Sequence, residues 1–395
     1  MNYILFDPPD TWENLLPLTF TRPVSEIRTG ILTVREKWDK FLQASTSILT
    51  RPYLQVKYSL RLEEDNVLIN GSVLPDDSLL HEINHLPAGT SLYAGDTLVA
   101  VRLGREEAAG FEMDQYRPGD RVTLSAEPIV IKYPWDIFTS NGLALEADFR
   151  LLTSTRVSAD LSDTNLVFGP EQVFVEGNAR VEGAVLNAER GPIYVGEHAE
   201  IMEGSMIRGP FAICEHATLK MGAKIYGPTT VGPQSMAGGE IKNSVILGYT
   251  NKVHDGYLGN SVLGEWCNLG ADTNNSNLKN NYSEVRLWNY RKEEFIPTGQ
   301  QFCGLIMGDH SKCSINTMFN TGTVVGVYAN IFGSGFPPNF VPSFSWGAPE
   351  GISTYQIEKA YEVAAEVMKR RERHFDQAEQ DILAAVFKMT EKYRP

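Results

Sequence analysis

The stretch that decides the fold is VGEHAE IMEGSM IRGPFA ICEHAT LKMGAK IYGPTT VGPQSM, residues 195–236. Its leading positions are Val195, Ile201, Ile207, Ile213, Leu219, Ile225 and Val231, all aliphatic. The fifth positions are Ala199, Ser205, Phe211, Ala217, Ala223, Thr229 and Ser235, small or polar except for Phe211. A helix repeats every 3.6 residues and a strand every two, so a strict six fits neither. It fits a parallel β-helix in which each hexad is a short strand plus a turn and three hexads close one coil. The aliphatic residue points inward and stacks on its equivalents above and below, about 4.8 Å apart. Such coils are usually left-handed, an exception to the right-handed rule for parallel connections.

The phase extends upstream to Val175 and Val181 and resumes at Leu263 and Leu269, then at Met307, Cys313, Phe319, Val325 and Ile331. It breaks at 183–192 and again at 274–302. The second break is polar with interleaved aromatics and reads as a loop extruded from the coil, where function often sits. The β-helix is therefore expected over 151–335, with 274–302 inserted.

The two ends differ. In residues 1–150, YILFD (3–7) and NVLIN (66–70) read as buried strands, 30–42 as an amphipathic helix, and 91–103 as a hairpin around Gly95-Asp96. Alternating strands and helices predict an α/β domain. Residues 336–352 are rich in Pro and Gly and read as a linker. Ser353-Thr354 can cap one helix filling 353–395. Its basic run KRRERH (369–374) is either a solvated helix face or a phosphate contact.

The chain has 395 residues and a formal net charge of −14, which disfavours nucleic acid and anionic membranes as partners. A local cluster of basic residues would still serve an anionic small substrate. Cys214, Cys267, Cys303 and Cys313 form no CxxC pair and read as buried thiols of a cytoplasmic protein. No apolar run approaches the roughly 20 residues of a membrane span. The start, MNYILFDPPD, lacks the basic n-region of a signal peptide.

Around His254 the sequence gives Glu240-Ile-Lys242, His254-Asp-Gly-Tyr257-Leu258-Gly259 and Asn268-Leu269-Gly270-Ala271. These motifs, at these intervals, resemble the acetyltransferase half of the bifunctional N-acetylglucosamine-1-phosphate uridylyltransferase/glucosamine-1-phosphate acetyltransferase family. The resemblance implies a left-handed β-helix preceded by a reduced nucleotidyltransferase-like domain and followed by a terminal helix. It implies His254 as general base toward the amine of a hexosamine phosphate, with acetyl-CoA as donor and Glu240 orienting the imidazole. Lys224, Lys242, Tyr257 and Asn268 would hold the sugar phosphate. Ala271, Asn277 and Lys279 would face the coenzyme, a backbone N–H near Ala271 serving the oxyanion. Lys242 and His254 lie twelve residues apart, on different faces of an eighteen-residue coil. They converge best across a subunit seam, and the resemblance implies that the assembly is a homotrimer.

The first domain is similar to sugar nucleotidyltransferases in its opening strand and in the step Thr21-Arg22-Pro23 with Arg28, which makes Arg22 and Arg28 candidates for a nucleoside triphosphate. The glycine-rich loop is absent, since no glycine precedes Gly30. Asp76 and Asp77 lie near the point where that family keeps a metal-binding aspartate. If the domain is active, Mg²⁺ would accompany the triphosphate. Three functions remain: hexosamine-1-phosphate N-acetyltransferase, sugar-1-phosphate nucleotidyltransferase with the β-helix as scaffold, and non-catalytic sugar-nucleotide-binding module.

Overall fold

The computed structural model describes all residues except 117–118, 125–126 and 349, and all side chains except those and that of residue 348. The hexads form a parallel β-solenoid over 166–347 whose three faces are ladders of six, nine and ten strands. The first face runs from Leu166–Phe168 to Tyr257–Gly259, the second from Val173–Val175 to Phe340–Val341, and the third from Arg180–Val181 to Ser345–Ala348, with the antiparallel Gly351–Thr354 as its tenth strand. Every leading aliphatic of the quoted stretch is at most 1% exposed, and all seven share one core with Val175, Val181, Leu263, Met307 and Ile331.

The coils vary in length, and the site depends on that variation. On the second face Val195, Ile213 and Val231 pair at eighteen-residue intervals. Val231 then pairs with Ile246, fifteen residues on, and Ile246 with Leu263, seventeen on. The hexad phase is lost between Val231 and Leu263, where the motifs lie, although the coil is not. The break expected at 183–192 is likewise absorbed at a corner. Strand Val185–Asn187 pairs normally on both sides, while Val175 to Val195 spans twenty residues.

Two corners explain the polar hexad positions. Between the second and third faces, nine residues hold φ between 52° and 61°: Asn178, His198, His216, Gln234, Tyr249, Trp266, His310, Tyr328 and Phe344. This left-handed position usually favours Gly or Asn. Here the side chains stack on one another instead. His198 and His216 lie 4.8 Å apart between ring centroids, Tyr249 and Trp266 4.2 Å. Between the third and first faces the same role falls to Gly204, Gly222 and Gly239.

In the N-terminal domain, strands Asn2–Phe6, Ser47–Leu49 and Asp65–Asn70 pair in parallel, and Thr97–Gly104 and Thr90–Ala94 extend the sheet antiparallel. The helix read at 30–42 spans Val34–Leu42, started by a capping box between Thr33 and Glu36. This domain lies against the second face. Thr230 Oγ1 donates to the Gly30 carbonyl at 2.9 Å, and Ile31 and Leu145 pack on Ala212 and Cys214.

The C-terminal end differs from the single helix expected. Residues Gly351–Thr354 pair antiparallel with the last solenoid strand, and two helices follow, Ile357–Lys369 and Gln377–Met389. Glu372, at φ 56°, stands in the turn between them. The insertion is a neck closed by the Leu278–Phe302 bridge, carrying the hairpin Arg286–Asn289/Glu294–Pro297. The hairpin ties the ends together. Arg291 pairs with Asp10 at 2.7 Å, Tyr290 meets Phe20, and Glu293 accepts from Tyr393.

Candidate functional site

The first solenoid face is the open one. Register sets Lys224, Glu240 and Tyr257 in one outward column and Tyr226, Lys242 and Gly259 in the next. The Tyr226 hydroxyl donates to Glu240 at 2.5 Å, and this bond pushes the phenol's pKa well up. The Lys242 ammonium lies 5.3 Å from the Phe302 ring and 5.9 Å from that of Tyr226. Asn277, 9% exposed, donates to Tyr257 Oη at 3.0 Å and to Asn260 Oδ1 at 2.8 Å, so the neck of the insertion braces the column. Five predicted residues are thus gathered: Lys224, Lys242, Glu240, Tyr257 and Asn277.

His254 stands at the corner leading into this face, exposed, and its imidazole makes no hydrogen bond among the described residues. Glu240 is engaged with Tyr226, and no bond joins it to His254. In register His254 precedes Tyr257 by three residues and Lys242 follows Glu240 by two. They lie at opposite ends of the face, His254 in the corner before its strand and Lys242 at the end of its own. Ala271 occupies the stacked corner of the next coil, where Asp272 N–H donates to the Asp255 carbonyl and the Ala271 carbonyl accepts from Asn316. Asn268 lies on the third face, away from the column. Lys279 is tied to the Glu284 carbonyl at 2.7 Å.

Sequence reasoning missed Lys252. It occupies an inward position of the third face, paired with Ala237, and is 2% exposed. Its ammonium donates to the His254 carbonyl at 2.5 Å. Burial pushes its pKa down to about 8 against the opposing pull of Asp255 and Asp272. The signal was present as a lysine in an aliphatic hexad position, but the shortened coil hid the phase.

Arg22 and Arg28 do not face a cleft. Arg22, 4% exposed, is paired with Asp309 and, at 3.2 Å, with Glu265, where Thr21 also bonds Asp309 at 2.7 Å. It locks the N-terminal domain to the solenoid. Arg28 is buried on the Ile31 carbonyl and Glu36. Asp76 caps helix Asp77–Asn84.

A cavity of about 460 Å³ opens instead beyond the carboxyl ends of Asn2–Phe6 and Ser47–Leu49, lined by Asp7, Thr50, Arg51 and Phe111 among others. Ligands of open α/β sheets bind at such strand ends. Asp7 accepts from Thr50 Oγ1 at 2.5 Å and from Val24 N–H at 2.8 Å, yet burial pushes its pKa up to about 7. Among the described residues no three carboxylate, histidine or cysteine side chains converge on a metal position.

Fold and site together define the class: an α/β domain carried on a hexapeptide solenoid. Residues 3–157 match the family described as "Sugar nucleotidyl transferase". Over 201 residues, half of this chain, it is 33% identical to the bifunctional sugar-1-phosphate nucleotidylyltransferase/acetyltransferase of Sulfurisphaera tokodaii, covering 43% of that protein. Over 87 residues, 22% of this chain, it is 34% identical to the bifunctional protein GlmU of Methanococcus aeolicus, covering 20% of it. A GlmU of Methanocaldococcus jannaschii matches at 34% over 87 residues, covering 21% of that protein. The chain thus spans less than half the length of the curated relatives it matches. No helix among the described residues is long and apolar enough to cross a membrane.

Proposed function

We propose that the solenoid transfers an acetyl group from acetyl-CoA to the amine of a hexosamine 1-phosphate. His254 takes the proton from the amine as it attacks the thioester carbonyl. The tetrahedral intermediate collapses with loss of the coenzyme thiolate, which leaves as the thiol. Lys224 and Lys242 hold the sugar phosphate, Tyr257 and Asn277 orient its hydroxyls, and Lys252 fixes the corner that presents the imidazole. The observation that carries this reading is the exposed, unpaired His254 at the edge of the Lys224–Glu240–Tyr257 column. A neutral imidazole suits proton transfer near pH 7.

One chain leaves His254 and Lys242 at opposite edges, and the site is completed by a second copy. The first face supports this, because it exposes Leu166 at 55%, Phe168 at 41% and Met206 at 47% while the second face is covered by the N-terminal domain. A threefold ring of first-face contacts buries this patch and brings one chain's His254 edge to the Lys242 edge of its neighbour. The protein is on this reading a homotrimer.

The test follows thiol release from acetyl-CoA and glucosamine 1-phosphate. His254→Ala should lower kcat by roughly 10²–10⁴-fold while sedimentation shows the oligomer unchanged. Equal turnover in the variant would sink the assignment. A second reading concerns the strand-end cavity, where Asp7, Thr50 and Arg51 suit a sugar nucleotide or nucleoside triphosphate. Pyrophosphate release from UTP or dTTP with a sugar 1-phosphate tests it, and binding without turnover marks a non-catalytic domain.

A further inference from the structure

The basic run at the end of helix Ile357–Lys369 does not simply face solvent. Between that helix end and the third solenoid face lies a cavity of about 390 Å³. Three cations reach it: Lys312 from the solenoid, and Arg370 and Arg371 from the helix end. No carboxylate lines it, in a chain whose net charge is −14. Neither arginine enters an ion pair among the described residues, and the nearest partner of Arg371 is Asn251 Oδ1 at 3.5 Å.

Lys312 is half-buried. Its ammonium donates to the neutral carbonyl of His310 at 3.0 Å, and burial pushes its pKa down to about 8. Arg373 is held aside by the Tyr249 hydroxyl at 2.7 Å and keeps the turn docked on the corner stack. Lys312 and Arg371, half-buried without an anion, carry an energetic deficit that a bound anion relieves, while Arg370 is exposed. The rest of the wall divides into amides, Asn251 and Asn268, and apolar groups such as Met236 and Val367. Cavities of this size hold small molecules rather than single ions.

We infer that this cavity binds a pyrophosphate-bearing nucleotide, its diphosphate held between Arg370, Arg371 and Lys312 and its body packed on Met236 and Val367. Asn268, set apart from the first-face column, belongs to this pocket. Two sources share the chemistry: the diphosphate end of a coenzyme A thioester, and a nucleoside diphosphate sugar. Val253 lines the cavity and His254 follows it in the chain, so a ligand here ends one residue from the proposed base. The inference rests on the cavity's own charge and does not require the acetyl transfer proposed above.

The experiment is calorimetric titration of the full chain with coenzyme A, UDP and inorganic pyrophosphate, repeated for the Arg370→Ala/Arg371→Ala double variant. Both arginines lie at a helix end on the surface, so the variant keeps the fold, which its unchanged circular dichroism checks. The expected result is saturable binding of at least one nucleotide, weakened about tenfold or more in the double variant and weakened by salt. Tighter coenzyme A than UDP assigns the coenzyme source, and the reverse assigns the nucleotide sugar. The double variant also carries the His254 assay: weakened binding of coenzyme A with a raised KM and unchanged kcat supports the pocket. No saturable binding of any probe, or binding equal in the double variant, overturns the inference, whatever His254→Ala does to turnover.

Discussion

Replacing Lys252 by Met should make the protein more stable, and by an amount that depends on pH. Lys252 sits inside the prism between Ala237 and Leu269, where every equivalent position is apolar apart from this one lysine. Its pKa falls from the usual 10.5 to about 8, chiefly through burial. At 1.36 kcal/mol per pH unit that displacement corresponds to about 3 kcal/mol. The sign follows from proton counting. Below pH 8 both folded and unfolded chains carry the proton, and the folded state bears the whole penalty. Between pH 8 and 10.5 the unfolded chain binds more protons, so stability rises with pH. Methionine is of similar length and carries no charge. Lys252→Met should therefore gain about 2–3 kcal/mol at pH 7, offset in part by the lost bond to the His254 carbonyl, and the gain should shrink toward pH 10. Urea denaturation of both proteins at one concentration and several pH values measures it. A methionine variant less stable at pH 7, or a gain that does not diminish with pH, refutes the reasoning.

Two further perturbations probe the frame. Arg22→Ala strips the guanidinium from Asp309 and Glu265 and leaves Asp309, 3% exposed, as an uncompensated buried charge. It should cost about 3–5 kcal/mol in chemical denaturation, whereas Arg291→Ala, which breaks the exposed pair with Asp10 and Glu13, should cost about 0–1 kcal/mol. His216→Val puts a β-branched side chain at φ 56° in the corner stack and should cost about 1–3 kcal/mol in thermal unfolding, while His216→Asn, at home in that conformation, should be near neutral.

The solenoid was legible because one physical constraint, an inward aliphatic every sixth residue, is written directly into the chain. The second-face column from Val195 to Val231 is that constraint made visible. What escaped depends on coil length. A fifteen-residue coil from Val231 to Ile246 shifts the inward phase by three, and no periodicity count reports which corner gave up the residues. Lys252 was missed for that reason. The first-face column was legible from Glu240, Lys242 and Tyr257 through the resemblance, not through periodicity. Arg22 was misplaced for a different cause: its partners, Glu265 and Asp309, lie more than 240 residues away in sequence, and an ion pair across a domain seam has no local signature. The C-terminal helix was drawn as one because Met368 and Phe375 keep an apolar spacing across the break, which is a left-handed turn at Glu372 without the Gly or Asn that would have signalled it.

These observations meet at one corner. The lysine that turns inward and the histidine that turns outward are two residues apart, one coil after the shortened corner at 238–239. In regular coils this corner is a glycine turn, as at Gly204 and Gly222. At His254 the corner is equally long, residues 253–256, but its positive-φ glycine is displaced to Gly256 at φ 113°, and the His254 carbonyl is bonded from inside the prism. The Lys252 ammonium supplies the donor from within. A hydrogen bond from a charged donor contributes about 1.5–3 kcal/mol, which offsets part of the burial penalty the same lysine carries. The arrangement therefore costs net stability and fixes one conformation of the bend. A fold that needed only to close its coil would place a leucine here. A corner that must hold an imidazole at a set angle toward a neighbouring face gains from a rigid anchor, and that links the stability prediction to the chemistry: the methionine variant should be the more stable protein and the poorer acetyltransferase.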